Sequence, residues 1–354
     1  MATIAILGAG MMGSALTTPL VDRGHSLRLI GTHLDTEIIG ALKAGREHPT
    51  LKLPLSPQIQ GYFHDELPQA LESVDALALG VSSAGVEWAS QILLPFLRPR
   101  LPILMVSKGL AWHGEKLVIL PDLLQTRWPR ELELHPVAVA GPCIAGELAR
   151  REQTCVLFTS RSASATAAWA ALARGPYYHV FPSDDPIGSE VCAALKNAFA
   201  MGIGFAAGLH EARGQLAGSI AMHNYEAALY AQSIHEMKRV IALLRGEPET
   251  AAGLAGAGDL NVTCNGGRTG RFGRWLGLGL GLQEAILRMQ GATLECLEIL
   301  SVLRGACAHY EQRGELARGE LPLLEHLMEV ALDGRPIQMP FERFFDAAAP
   351  EAER

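Results

Sequence analysis

A chain of 354 residues exceeds what one hydrophobic core ordinarily organises, so two domains are expected. Hydrophobic residues make up 49% and charged residues 19%, which excludes extended disorder, and the formal charge of -7 excludes general binding to nucleic acid while leaving room for a local basic cluster. Six cysteines (Cys143, Cys155, Cys192, Cys264, Cys296 and Cys307) form no Cys-x-x-Cys pair and match no histidine spacing, so neither a metal site nor a disulfide framework is expected. The N-terminus enters an apolar strand with no basic leader, and no uninterrupted apolar run reaches membrane-spanning length, so a cytoplasmic protein without membrane insertion is expected.

From residue 3 to about 185, short apolar runs alternate with helix-like segments. The runs are Thr3 to Leu7, Ser26 to Ile30, Ala76 to Val81, Pro102 to Val106, Val137 to Ala140 and Cys155 to Thr159. This alternation predicts a parallel, doubly wound α/β sheet covered by helices over residues 1–185. Asp75 to Val81 is apolar at nearly every position, as a central strand buried on both faces requires. Past Ser183-Asp184-Asp185-Pro186 the strand-like runs stop. Long Ala/Leu/Met/Glu segments, Gly188 to Leu209, about Ile220 to Leu244 and Leu282 to Gln312, predict an all-α domain over 186–346, with the glycine-rich stretch Leu276 to Leu282 as a turn. Residues 347–354 are expected to fray.

The first strand runs into Gly8-Ala9-Gly10-Met11-Met12-Gly13 and then a helix start, the context in which G-x-G-x-x-G binds a dinucleotide. Gly8 permits the tight turn, Gly10 lets the backbone approach a pyrophosphate, Gly13 lets helix and strand pack closely, and the helix N-terminus offers free N–H groups. The second strand ends Leu29-Ile30-Gly31-Thr32-His33-Leu34-Asp35, so Thr32 stands where the ribose-reading residue is expected. Asp35, the nearest acid, stands three residues later and is read either as the acid that binds the ribose or as a solvated loop residue, and the lack of an arginine just past the strand favours NAD over NADP.

Three further stretches carry chemistry. Lys108 in Ser107-Lys108-Gly109 follows an apolar strand and should emerge at the carboxyl edge of the sheet, where open α/β folds bind ligands. Lys196 lies in the apolar helical run Val191 to Met201, where an unpaired lysine carries a heavy desolvation cost and burial makes it a usable acid or base. Gly258-Asp259-Leu260-Asn261-Val262-Thr263 places Asp259 and Thr263 on one helix face, and Arg268, Arg271 and Arg274 follow among glycines as a mobile basic turn suited to phosphate, Arg268 being the expected ligand.

In this order, these stretches resemble the NAD(P)-dependent glycerol-3-phosphate dehydrogenases over about residues 3–300. Further markers are Arg46-Glu47-His48-Pro49, Gly141-Pro142-Cys143-Ile144-Ala145-Gly146-Glu147 and Ala194-Leu195-Lys196-Asn197. The resemblance implies a Rossmann domain followed by a helical domain of the 6-phosphogluconate dehydrogenase C-terminal type, a homodimer, and reduction of dihydroxyacetone phosphate to sn-glycerol 3-phosphate for phospholipid synthesis. It implies that Lys196 is the catalytic acid, that Lys108 binds and polarises the substrate and contacts the cofactor, and that Asp259, also catalytic, and Thr263 hold substrate hydroxyls and orient Lys196. It further places Gly141, Cys143 and Asn197 around the substrate, Arg268 and Thr269 on its phosphate, and Met11, Met12, Ala145, Arg268 and Glu295 against the cofactor.

Three positions depart from the family pattern: Thr269 for asparagine, Cys143 for serine or threonine, and Gln232 for arginine. Loss of polar ligands leaves open another small phosphorylated ketose, or a phosphonate, as the substrate. Ketopantoate reductases and 3-hydroxyacid dehydrogenases share the architecture, but their substrates bear carboxylates, which the Lys196 and Arg268 stretches fit poorly. A nucleotide-binding protein without catalysis would have no need of Lys108, Lys196 and Asp259 together.

Overall fold

The computed structural model describes residues 1–214, 222–265, 267–291 and 293–345. The expected tail 347–354 and the expected start of the second long helix at Ile220 lie outside the described residues. The chain divides into two units, Met1–Gly109 with Val118–Pro186, and Leu110–Leu117 with Ile187–Arg354. Residues Leu110–Leu117, which fall inside the first domain on sequence grounds, cluster with the second unit instead.

The first unit is built on eight strands: β1 (Thr3–Leu7), β2 (Ser26–Ile30), β3 (Ile59–Tyr62), β4 (Ala76–Leu79), β5 (Ile103–Met105), β8 (Val137–Ala140), β9 (Thr154–Thr159) and β10 (Tyr178–Ser183). Their order is β10-β9-β8-β5-β4-β1-β2-β3. β5 and β4 lie at the centre, and every residue of both is buried, so both faces of the sheet are covered. Ile4, Ile6, Leu29, Ala78, Leu104, Val139, Phe158 and Trp169 are among the residues of the continuous core.

The sheet is not wholly parallel. β9 runs antiparallel to β8, with Val139 opposite Phe158, and β10 then runs parallel to β9. The β8–β9 link carries only the five-residue helix Ala145–Ala149, enough for an antiparallel neighbour, whereas β9 and β10 are joined by the crossover helix Ala163–Ala173. The edge strands β3 and β10 escape the apolar-run test because each presents polar or exposed positions along its length, and β10 contains Pro182, which only an edge strand tolerates.

The second unit holds the hairpin β6 (Leu110–His113) and β7 (Lys116–Ile119) as far as Leu117. Gly114 and Glu115 between these strands both have positive φ, the geometry of a two-residue turn that matches strand twist. The Leu117 N–H donates to the Tyr310 hydroxyl at 3.1 Å. All other regular elements described in this unit are helical, and they include Pro186–Ala212, His223–Leu243, Arg268–Gly277, Glu295–Gln312 and Pro322–Asp333. The expected single helix Leu282 to Gln312 is two, Leu282–Arg288 and Glu295–Gln312, because Gln290 and Gly291 turn into the left-handed region. Helix Pro186–Ala212 is long and apolar enough on average to cross a membrane, but Glu190 and Lys196 interrupt its apolar run and 78% of its apolar window is buried inside the protein.

Helices Pro186–Ala212 and Arg268–Gly277 meet along a seam of glycines. A Cβ on Gly204 would lie 2.4 Å from the Gly270 carbonyl oxygen, one on Gly208 2.1 Å from that of Arg274, and one on Gly273 2.0 Å from that of Met201. The two backbones touch, so the glycines after Arg268 serve close packing. The arginines therefore project from a helix packed closely against its neighbour, and not from the expected mobile turn.

Candidate active site

In the first unit β3, β2, β1, β4, β5 and β8 run in one direction, so the residues that follow them gather at one edge. Gly8 follows β1, Thr32 follows β2, Lys108 follows β5, and Gly141, Cys143 and Ala145 follow β8. Gly8 has φ +106, and a Cβ there would lie 2.7 Å from the Gly80 carbonyl carbon. A Cβ on Gly13 would lie 2.1 Å from the Gly8 oxygen, so helix Met11–Asp22 rests directly on the turn. A Cβ on Gly10 would meet nothing within 4 Å, so protein packing does not demand glycine there. Helix Met11–Asp22 begins with no side-chain cap and no acid in its first turn. Its first N–H groups and the positive end of its dipole are thus left for an anion, and the cradle fits a dinucleotide pyrophosphate. Met11 is 43% exposed beside this turn, while Met12 and Cys143 pack against the core. Ala145 opens its own short helix and is buried.

Asp35 is not solvated. It is buried, and its Oδ2 accepts from the Ala9 N–H at 3.1 Å, the Thr32 N–H at 2.8 Å and the Thr32 hydroxyl at 2.8 Å. Thr32 Oγ1 is thereby turned towards the protein. A backbone that must bend back over the strand end leaves donors behind, and the nearest carboxylate folds in to satisfy them.

In the second unit Lys196 projects from helix Pro186–Ala212, and its Nζ donates to Asp259 Oδ1 at 2.5 Å. The lysine side chain is 15% exposed and the aspartate side chain 2%. The sequence argument that an unpaired lysine could not be left in this run resolves through pairing, since a buried charge persists when it is matched and hydrogen-bonded. Asp259 opens the short helix Asp259–Cys264 directly after a π-helical turn, Leu254–Gly258, in which a Cβ on Gly256 would lie 2.0 Å from the Ala251 oxygen. Such turns re-aim the residue that follows them and cluster at functional sites. The Thr263 hydroxyl donates to the Asp259 carbonyl oxygen at 2.6 Å, so it supports the helix turn that carries the carboxylate.

Next to Lys196, the Asn197 amide donates to Glu295 Oε2 at 3.1 Å, and the other oxygen of Glu295 lies 3.6 Å from the Arg268 guanidinium. Glu295 thus joins Asn197 to Arg268, an arrangement that no spacing in the chain announces because the three residues come from three helices. Arg268 is half exposed and has donors to spare, whereas Thr269 beside it is buried. Arg274 is not left to a ligand: it forms a bidentate pair with Glu211, both contacts at 2.6 Å. Gln232 is also explained. It is buried, donates to Glu236 at 2.8 Å and accepts from the Phe345 N–H at 3.1 Å, so its departure from arginine concerns helix packing.

The chain as a whole resembles known proteins. The family description NAD-dependent glycerol-3-phosphate dehydrogenase matches the chain twice, its N-terminal part over residues 3–166 and its C-terminal part over residues 185–342. The chain is 38% identical over 287 residues to an NADP(+)-dependent glycerol-3-phosphate dehydrogenase of Archaeoglobus fulgidus, covering 81% of this chain and 83% of that protein. It is 29% identical to a glycerol-3-phosphate dehydrogenase [NAD(P)+] of Bacillus velezensis, across 97% of this chain and 93% of the relative. The crystal structure of glycerol-3-phosphate dehydrogenase from Coxiella burnetii superposes with a TM-score of 0.78 at 27% identity, over 95% of this chain and 96% of that one. With both halves of the chain matched and the sheet and helical unit in the same order, this protein belongs to the NAD-dependent glycerol-3-phosphate dehydrogenase family.

Proposed function

We propose that the protein reduces dihydroxyacetone phosphate to sn-glycerol 3-phosphate, reversibly, with a nicotinamide dinucleotide. The observation that carries this reading is the buried Lys196–Asp259 pair at 2.5 Å, with the half-exposed Arg268 in the same unit. When bound, the dinucleotide supplies the hydride. Lys196 Nζ gives its proton to the carbonyl oxygen as the hydride reaches the carbon, and the ammonium stabilises the developing alkoxide beforehand. Asp259 holds the amine in place through the step, and the charge it balances is restored when the lysine is reprotonated. Arg268 grips the substrate phosphate with its remaining donors, and Asn197, anchored by Glu295, orients the substrate. Lys108, which follows β5 at the carboxyl edge of the sheet, assists substrate binding together with Gly141 and Cys143, which follow the neighbouring strand β8. Family membership and the relatives' names support the substrate.

For the cofactor, NAD is the proposed preference, because no arginine stands just past the end of β2. The protein is proposed to act as a homodimer. Oxidation of NADH and NADPH is to be followed with dihydroxyacetone phosphate and with longer phosphorylated ketoses; turnover only on a longer ketose would overturn the substrate assignment.

A further inference from the structure

We propose that Asp35 and His48 are positioning residues that hold the dinucleotide turn in its binding shape, and that Asp35 does not read the cofactor ribose. This rests on the reading of Gly8 to Gly13 as the dinucleotide site.

The Ala9 peptide groups are held on both sides. Its N–H donates to Asp35 Oδ2 at 3.1 Å, and its carbonyl oxygen receives His48 Nε2 at 3.2 Å and the Ser14 hydroxyl at 2.8 Å. The histidine tautomer follows from its other nitrogen. Nδ1 accepts from the Thr50 and Leu51 N–H groups, both at 3.1 Å, so the proton sits on Nε2 and the ring donates to Ala9. His48 is 2% exposed and Asp35 8%, and neither comes from the turn itself: they follow Ala9 by 26 and 39 residues, Asp35 first.

Ala9 lies between Gly8, whose conformation is left-handed, and Gly10, whose surroundings are open. A turn with two glycines loses much backbone freedom on becoming ordered. Fixing Ala9 from both sides removes that freedom before any ligand arrives, so the N–H groups at the start of helix Met11–Asp22 face the pyrophosphate without further cost. Because Oδ2 of Asp35 already accepts three hydrogen bonds, the carboxylate acts on the part of the cofactor that NAD and NADP share. Its effect should therefore be the same for both.

Three variants test this by direct titration of NADH and NADPH, with activity read separately. His48→Asn keeps an acceptor for Thr50 and Leu51 and loses only the reach to Ala9. It should weaken both dinucleotides about tenfold, with kcat at saturating dinucleotide within about twofold of wild type. Asp35→Ala should weaken both by the same factor, and Asp35→Asn, which retains an acceptor oxygen, should recover most of the loss. Unchanged affinity in His48→Asn would overturn the proposal, as would an Asp35→Asn protein that binds NADPH more tightly and NADH less. A wild-type protein that binds neither dinucleotide would overturn the site assignment itself, an outcome distinct from these.

Discussion

Asp259 Oδ1 stands 2.5 Å from Lys196 Nζ, and the two residues, 63 apart in the chain, are brought together at the start of one helix and the middle of another. Removing the amine leaves a carboxylate buried without this partner and deprives the carbonyl of its proton donor. Lys196→Ala should cut kcat by a factor on the order of 10² to 10⁴ while dinucleotide affinity in the other unit stays nearly intact. Steady-state turnover and NADH titration on the same sample check both halves. Normal turnover in Lys196→Ala would remove the lysine from the mechanism.

Arg268 is half exposed and only loosely paired with Glu295 at 3.6 Å, so its charge is available to an anion. Arg268→Ala should raise KM for dihydroxyacetone phosphate by about 10- to 100-fold, the range expected for a lost charge-assisted hydrogen bond. Arg268→Lys should recover only part of this, because an ammonium cannot reproduce the planar fork. An unchanged KM in both variants would move the phosphate site elsewhere.

At Gly273 an added methyl group would sit 2.0 Å from the Met201 carbonyl oxygen, backbone against side chain with nothing flexible to give way. Gly273→Ala should destabilise the second unit by roughly 3 kcal/mol, at the upper end for overpacking. It should also lower activity by displacing Arg268 relative to Lys196. Gly281→Ala, where a Cβ meets nothing within 4 Å, serves as the control. Equal denaturation midpoints for the two variants would contradict the glycine seam.

Glu236 caps helix Pro322–Asp333 by accepting from the Leu323 and Leu324 N–H groups at 2.7 and 2.8 Å, yet its burial pushes its carboxyl from 4.5 up to about 7. A folded-state value above the unfolded one means that the folded protein binds the extra proton. The contribution is fully present below about 4.5 and is lost as pH rises through about 7. Relative to Glu236→Gln, the wild type should lose roughly 3 kcal/mol of stability between about pH 5 and about pH 8. Urea denaturation of both proteins across that range measures it, and parallel curves would count against the assignment.

The central strands and the long helices were legible in the chain because burial on both faces or along one helical stripe forces a recognisable apolar pattern. β1, β2 and β8 begin and end where the apolar runs do. Edge strands β3 and β10 carry no such demand, since part of their surface faces water, and the antiparallel step at β9 depends on where a short link returns the chain. Lys196 stood out by violating its surroundings, a charge in an apolar helix, and that violation is visible in one dimension.

What answers such a violation is not. Asp259 as the partner of Lys196 follows from the family resemblance and from no local pattern, and the inward turn of Asp35, the grip of His48 on Ala9 and the bridge of Glu295 between Asn197 and Arg268 likewise join residues far apart in sequence. Local pattern reports what each segment must bury. Which buried polar groups then satisfy one another is decided only when folding brings the segments together, because each hydrogen bond depends on a distance that the order of residues does not contain.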